Sequence, residues 1–196
     1  MHRRQFLIRS SAALAAGSVV LTGCTTTPLG GSDVAAKNAA KRRSIDADVD
    51  AALARLYTKV NGSRDLLARA NGVLVFPSVI SAGFWIGGQY GTGALRVGGR
   101  TTGYYSTAAG SFGLQIGAQS KSIIFAFMTP QALDNFVNSQ GWAAGADATV
   151  ALVTVGANGN VDTSTAMSPV EAFVLTNAGL MAGISLEGVK VSRLVI

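Results

Sequence analysis

The sequence predicts an α+β fold: a curved, glycine-rich antiparallel sheet, in effect a partial barrel, packed with N-terminal helices and one inserted helix. Three observations predict it. Gly72 to Gly117 is a long run of β-branched and aromatic residues broken by glycines at 83, 87, 88, 91, 93, 98, 99, 103, 110 and 113. Upstream of it, Ile45, Val49, Leu53, Leu56 and Val60 recur at helical spacing. Downstream, Thr129-Pro130-Gln131 interrupts the strand pattern with a helix start. β-Branched and aromatic side chains suit a pleated, half-buried surface. Glycine weakens a strand unless it marks a bend or a close backbone approach, so glycines this dense predict a strongly coiled sheet. A phosphate-cradling loop is the rival explanation, but Gly91-Thr92-Gly93 has Arg96 where a third glycine belongs, and Gly-Lys-Ser/Thr occurs nowhere.

The first 23 residues, MHRRQFLIRSSAALAAGSVVLTG, read as a secretory signal with a basic start and an apolar stretch from Leu14 to Leu21. Leu21-Thr22-Gly23-Cys24 resembles a bacterial lipobox, so Cys24 is expected to carry the acyl anchor as the first mature residue. Arg3-Arg4-Gln5-Phe6-Leu7 resembles the twin-arginine export motif. Several acyl chains hold far more firmly than one. Because Thr25 follows, and not an aspartate, the outer membrane is the expected destination by resemblance to other lipoproteins, facing either the periplasm or the surface.

Residues 24–44 read as the lipidated cysteine, a Thr/Pro/Gly/Ser tether to about Ser32, and an Ala-rich basic segment with Lys37, Lys41, Arg42 and Arg43. Residues 45–196 read as the folded domain. Ser44 is the expected N-cap of its first helix, with Asp46 and Asp48 in the first turn. Asn61-Gly62 ends that helix, and Ser63 is expected to cap a second short one, Arg64 to Ala70. Strands are predicted over Thr101–Ala108, Ser111–Gln119 and Ser122–Met128, with turns at Gly98-Gly99 and Gln119-Ser120-Lys121. In the inserted helix Thr129 caps, Pro130 takes the first position, and Leu133, Phe136 and Val137 form the apolar side. Asp147–Val155, a hairpin turn at Asn158-Gly159-Asn160, Ala172–Thr176, Leu180–Leu186 and Val189–Val195 complete the sheet.

Composition narrows the function. Only 13% of the residues are charged and 48% are hydrophobic, which suits a compact domain. Removing Arg3, Arg4 and Arg9 with the signal reduces 16 basic residues to 13 against 10 acidic, a mature side-chain charge of +3. That is too mild for nucleic-acid binding. The sole histidine, His2, leaves with the signal and the sole cysteine is capped, so no Ser-His-Asp or Cys-His pair and no His/Cys metal site forms. No cofactor is expected. Asp147, Asp162, Glu171 and Glu187 are the carboxylates that a hydrolase would need, each near a predicted turn or strand end. Trp85, Tyr90, Tyr104, Tyr105 and Trp142 are either core and rim packing or a lipid-accepting surface.

The blocks AGFWIGGQYGTGAL (82–95), GYYSTAAGSFGLQIGAQ (103–119) and GLMAGISLEG (179–188) resemble the signature blocks of the SYLF family, over roughly Ile45 to Ile196. This is a lipid-binding domain family of bacterial lipoproteins and of eukaryotic membrane-trafficking and actin-patch proteins. The resemblance implies binding of anionic phospholipid or phosphoinositide headgroups, without catalytic residues, with a basic helix ahead of the sheet linked to lipid contact. On that basis Lys41, Arg42, Arg43, Arg55, Lys59 and Arg64 are the headgroup candidates. Their other reading is a solvated helical face partly neutralised by Asp46, Asp50 and Asp65. Many relatives carry a Tyr-Ser pair before the last block, where this chain has Leu175-Thr176-Asn177, so no role of that tyrosine carries over. The expected function is thus a lipid-anchored envelope protein binding anionic lipids, non-catalytically. The alternative is a structural lipoprotein with an envelope protein partner, and a periplasmic hydrolase is the third option.

Overall fold

A computed structural model describes residues 31–113, 119–155, 160–161, 168–181 and 184–196. The signal, Cys24, most of the tether, the turn residues 158–159 and Asp162 lie outside them. The chain divides into two compact units, residues 1–37 and 38–196. The described part of the first is the opening of a helix, exposed from Asp33 to Lys37.

That helix, α1, spans Gly31–Lys59. It starts well before Ser44, which lies inside it and is not an N-cap. Nothing between Asp33 and Val60 breaks a helix, and the alanines at 35, 36, 39 and 40 have the highest propensity for one. The expected stripe is borne out: Ile45, Val49, Leu56 and Val60 are buried together with Ala52, and Leu53 is half-buried at its margin. Gly62, at φ 80°, turns the chain into α2, Ser63–Arg69. Here Ser63 is not a cap of α2, because its hydroxyl donates backward to the carbonyls of Val60 (2.6 Å) and Leu56 (3.4 Å), closing the end of α1.

The strands are β1 (Gly72–Val97), β2 (Arg100–Gly113), β3 (Gln119–Phe127), β4 (Trp142–Ala143), β5 (Val150–Leu152), β6 (Val170–Thr176), β7 (Gly179–Leu180) and β8 (Lys190–Arg193). They form one sheet in the order β4-β8-β2-β1-β3-β6-β5, with β7 on β6. The curled sheet makes an α+β partial barrel, as expected. It is mixed, however, because β5 runs parallel to β6. Ser120 and Lys121 belong to β3 and not to a turn. The last strands are also shorter than the hydrophobic pattern implied, β7 and β8 above all.

β1 is the element on which the sheet curls. Its first half pairs with β3 and its second half with β2. The halves approach backbone to backbone at Gly91, where a Cβ would lie 2.7 Å from the Ser78 carbonyl, and at Gly93, where a Cβ would run into that of Val75. At the far end Gly98 and Gly99, both with positive φ, form the two-residue turn into β2.

Both faces of the sheet are covered, which is why β3 from Ile123 to Phe127 and β6 from Ala172 to Leu175 read as apolar runs. One face buries Val75, Ala94, Ile124 and Phe173 under α1 and α2. The other holds Phe125, Phe127, Phe136, Trp142 and Tyr105. The Phe136 ring lies 4.8 Å from Phe127, 4.9 Å from Tyr105 and 5.7 Å from Trp142. It reaches them from α3, Pro130–Asn138, where Thr129 caps and Pro130 opens the helix as expected. Val137 is exposed, contrary to expectation, and Ala132 takes the inward place beside Phe136. Among the described residues no helix is long and apolar enough to cross a membrane.

Candidate functional site

The charges of α1 separate by helical geometry. At about 100° per residue, Lys41, Arg55 and Lys59 fall on one flank of its buried stripe, and Asp46 and Asp50 on the other. The acidic flank faces the β1–β2 hairpin and is occupied there. Asp46 accepts from Thr101 Oγ1 (2.7 Å) and Tyr104 OH (2.8 Å), and Asp50 accepts from Arg96 Nη2 (2.8 Å). Arg96 is also within 3.6 Å of Asp46. Burial first, then the Asp46 hydrogen bond, pushes the Tyr104 hydroxyl pKa above its ordinary value. Asp46 and Asp50 therefore tie α1 to the sheet, and neither is a helix-start charge or a counter-ion to the α1 cations. Arg96 makes the ion pairs found among the described residues. Asp48 shares the basic flank and pairs with no cation among the described residues.

The six candidates do not form one cluster. Lys41 and Arg43 are exposed, and Arg42 is half-buried, donating to the Ile196 main-chain oxygen at 2.5 Å. Arg55 and Lys59, one turn apart and about 21 Å along the helix from Lys41, line one small cleft. Arg55 Nη2 donates to Ser122 Oγ (3.3 Å), and Lys59 Nζ to the Asn177 carbonyl (2.7 Å). Ser122 Oγ donates in turn to the Pro77 carbonyl (2.7 Å), and Ser120 shares a hydrogen bond with Ser78 (2.9 Å). Arg64 lies elsewhere, its guanidinium 4.3 Å from the centre of the Tyr57 ring, in a larger groove with Leu53, Leu67 and Val73.

Ser120, Ser122 and Asn177 were not anticipated as site residues. Their sequence gave only the polar Gln119–Ser122 tetrad, and β3 and the β6–β7 turn meet α1 only through the sheet order. Lys121 also borders the cleft, but strand alternation turns its side chain away from Ser120 and Ser122. Burial alone lowers its ammonium pKa, with no cationic neighbour contributing.

Of the aromatic candidates, Trp142 and Tyr105 are core, Tyr104 serves Asp46, and Tyr90 is exposed. The Trp85 side chain lies outside the described residues. The carboxylates are dispersed in role. Asp147 accepts from the Ala143 amide (2.6 Å) within its turn, Glu187 is exposed, and Glu171, near the start of β6 as expected, is buried and not solvated. No cluster of three or more His, Cys, Asp or Glu suited to a metal occurs among the described residues.

Residues 108–193 match the family model Ysc84, described as Las17-binding protein actin regulator. Over that stretch, less than half of the chain, the sequence is similar to the Ysc84 (SYLF) domain family. The match runs from the second half of β2 through β8 and includes the block at Gly179–Gly188. The SYLF domain family is a non-enzymatic binding family, linked to lipid and protein binding. No curated protein matches the chain.

Proposed function

We propose that this is a lipid-anchored envelope protein whose SYLF domain binds anionic lipid headgroups and catalyses no reaction. Cys24 holds it to the membrane, by this reading the outer membrane, and the basic flank of α1 makes the electrostatic contact. The carrying observation is the segregation of charge on α1: Asp46 and Asp50 are committed to the sheet, and among the described residues Lys41, Arg55 and Lys59 have no carboxylate partner. Each cation near an anionic surface contributes about 1 kcal/mol.

The test is co-sedimentation of the whole chain carrying Cys24→Ser with neutral and anionic vesicles. Selective binding that falls steeply with salt is expected, and it weakens when Lys41, Arg42 and Arg43 become Ala. A salt-independent isotherm, or no binding, overturns the reading. In cells, Cys24→Ser is expected to move the protein to a soluble fraction; continued membrane retention overturns the anchor.

One observation favours the second reading, an envelope lipoprotein that docks a protein through its sheet. Ile80 and Tyr90 are both more than half exposed, on either side of the β1 stretch Ala82–Gly88.

A further inference from the structure

The cleft beneath Arg55 and Lys59 has a chemistry that the exposed cations at 41–43 lack. It is small, about 50 Å³, room for a few waters or one oxyanion group. Arg55 and Lys59 form one wall, Ser120 and Ser122 of β3 another, with Pro77 and the β6–β7 turn at Asn177 beside them, and no carboxylate among the described residues lines it. Among the described residues each cation is held by one hydrogen bond, Arg55 to β3 and Lys59 to the β6–β7 turn. That leaves most of the five guanidinium donors and two of the three ammonium donors unspent. The Ser122 hydrogen is committed to Pro77, whereas either Ser120 or Ser78 can be the donor in their pair, so Ser120 can turn its hydrogen outward.

Lys59 closes the last turn of α1, where a cation ordinarily complements the helix dipole. Its ammonium, however, donates across to Asn177, and the Leu56 and Val60 carbonyls are taken by Ser63. The arrangement fixes two cations over a hydroxyl-lined recess, with no carboxylate paired to either among the described residues.

We infer that this cleft is a phosphomonoester site, in which Arg55 and Lys59 clamp a terminal phosphate and Ser120 donates to a third oxygen. A dianion matches two fixed cations, and a terminal phosphate presents three free oxygens to the recess where a diester presents two. Ile80, paired with Ser120 across β1 and β3 and 54% exposed, puts an apolar side chain beside the opening, as a phosphate presented by a bilayer requires. This inference rests on the headgroup-binding reading and refines it: residues 41–43 attract any anionic surface, and the cleft selects the headgroup.

The experiment compares the whole chain carrying Cys24→Ser on phosphatidylcholine vesicles containing either phosphatidic acid, a monoester, or phosphatidylglycerol, a diester, at matched total charge. Tighter binding to phosphatidic acid is expected. Arg55→Gln and Lys59→Gln should each lower the preference for phosphatidic acid over phosphatidylglycerol roughly tenfold, the scale of a charge-assisted hydrogen bond, beyond the loss of one surface cation that both lipids share. Arg55→Lys, which keeps the charge and loses the fork, should recover part of the preference. Equal binding to both lipids, with the variants lowering both alike, overturns the cleft and leaves general headgroup binding standing. A second arm titrates inorganic phosphate and glycerol 3-phosphate while following the Ser120 and Ser122 amides by NMR. Shifts that vanish in Arg55→Gln, without any vesicle binding, sustain the phosphate site and overturn its lipid source together with the proposed function. No shifts and no lipid preference, in variants whose thermal unfolding matches the parent, overturn the inference.

Discussion

Asp46 and Tyr104, 58 residues apart in sequence, meet at 2.8 Å across the seam between α1 and β2. The same carboxylate takes Thr101 and stands 3.6 Å from Arg96, so one side chain fixes the helix to the β1–β2 hairpin through three residues. The proposed headgroup contact depends on that fixation, because it orients the opposite flank of α1, where Arg55 and Lys59 lie. It also spends the acidic charge that would otherwise neutralise them.

Replacing Asp46 by Asn keeps the shape and removes the charge. A loss of about 1–3 kcal/mol in unfolding free energy is expected, the range for a hydrogen bond to a charged group and its stranded partners. The Tyr104 hydroxyl should at the same time titrate at lower pH than in the parent. Burial still raises its pKa, but the carboxylate that opposes a phenolate is gone. Ultraviolet titration of Asp46→Asn, with Tyr104→Phe to assign the signal, checks this. An unmoved Tyr104 transition would contradict the coupling.

The glycines of β1 and β2 divide into two classes with opposite expectations. Gly91→Ala and Gly93→Ala push a methyl into the backbone of the other half of β1, which cannot step aside. Each should cost about 1–3 kcal/mol as overpacking. Gly88→Ala and Gly110→Ala meet nothing within 4 Å and should change stability by no more than about 0.5 kcal/mol. Urea denaturation of the four variants separates the classes. Equal effects would mean that the glycines serve general flexibility and not one crossing.

This division marks what the sequence could show. The density of glycine predicted a curled sheet, but which glycines bear the crossing depends on β1 meeting itself. Local signals held: the Ile45–Val60 stripe, the Gly98-Gly99 turn and the Thr129-Pro130 helix start each depend on neighbours within a few residues. Arg96 drew notice only because it spoils a glycine fingerprint, and its partners Asp46 and Asp50 lie some fifty residues earlier. Two cleft residues, Arg55 and Lys59, were legible as exposed helical cations. Their counterparts Ser122 and Asn177 were not, since β3 and β6 become neighbours only in the folded sheet. The parallel pairing of β5 was hidden for the same reason.

Thr129 holds α3, and through it Phe136, against the aromatic core. Its hydroxyl accepts from the Ala132 amide at 3.2 Å. Thr129→Ala should cost about 1 kcal/mol, the usual loss of an N-cap, whereas Thr129→Ser should cost little. Thermal unfolding of the pair checks this, and equal losses would assign the effect to the threonine methyl and not to the cap.

Glu171 gives the fold a pH dependence of definite sign. It is the second residue of β6, 1% exposed, with neither carboxylate oxygen hydrogen-bonded among the described residues. Burial raises its pKa above the ordinary 4.5, and the charge of Arg69 only partly opposes the rise. A folded-state pKa above the unfolded one means that the protein holds this proton more tightly when folded. The associated stability is fully present below the unfolded value near 4.5 and is lost as pH rises through the folded one. Glu171→Gln removes the titration. At pH 7 the variant should be more stable than the parent by about 1–3 kcal/mol, the cost of an unsatisfied buried group, and the gap should narrow as pH falls toward 4. Denaturant unfolding of both proteins across that interval decides the matter. A gap that stayed constant with pH, or widened toward acid, would show that the carboxylate is ionised and partnered in the folded protein.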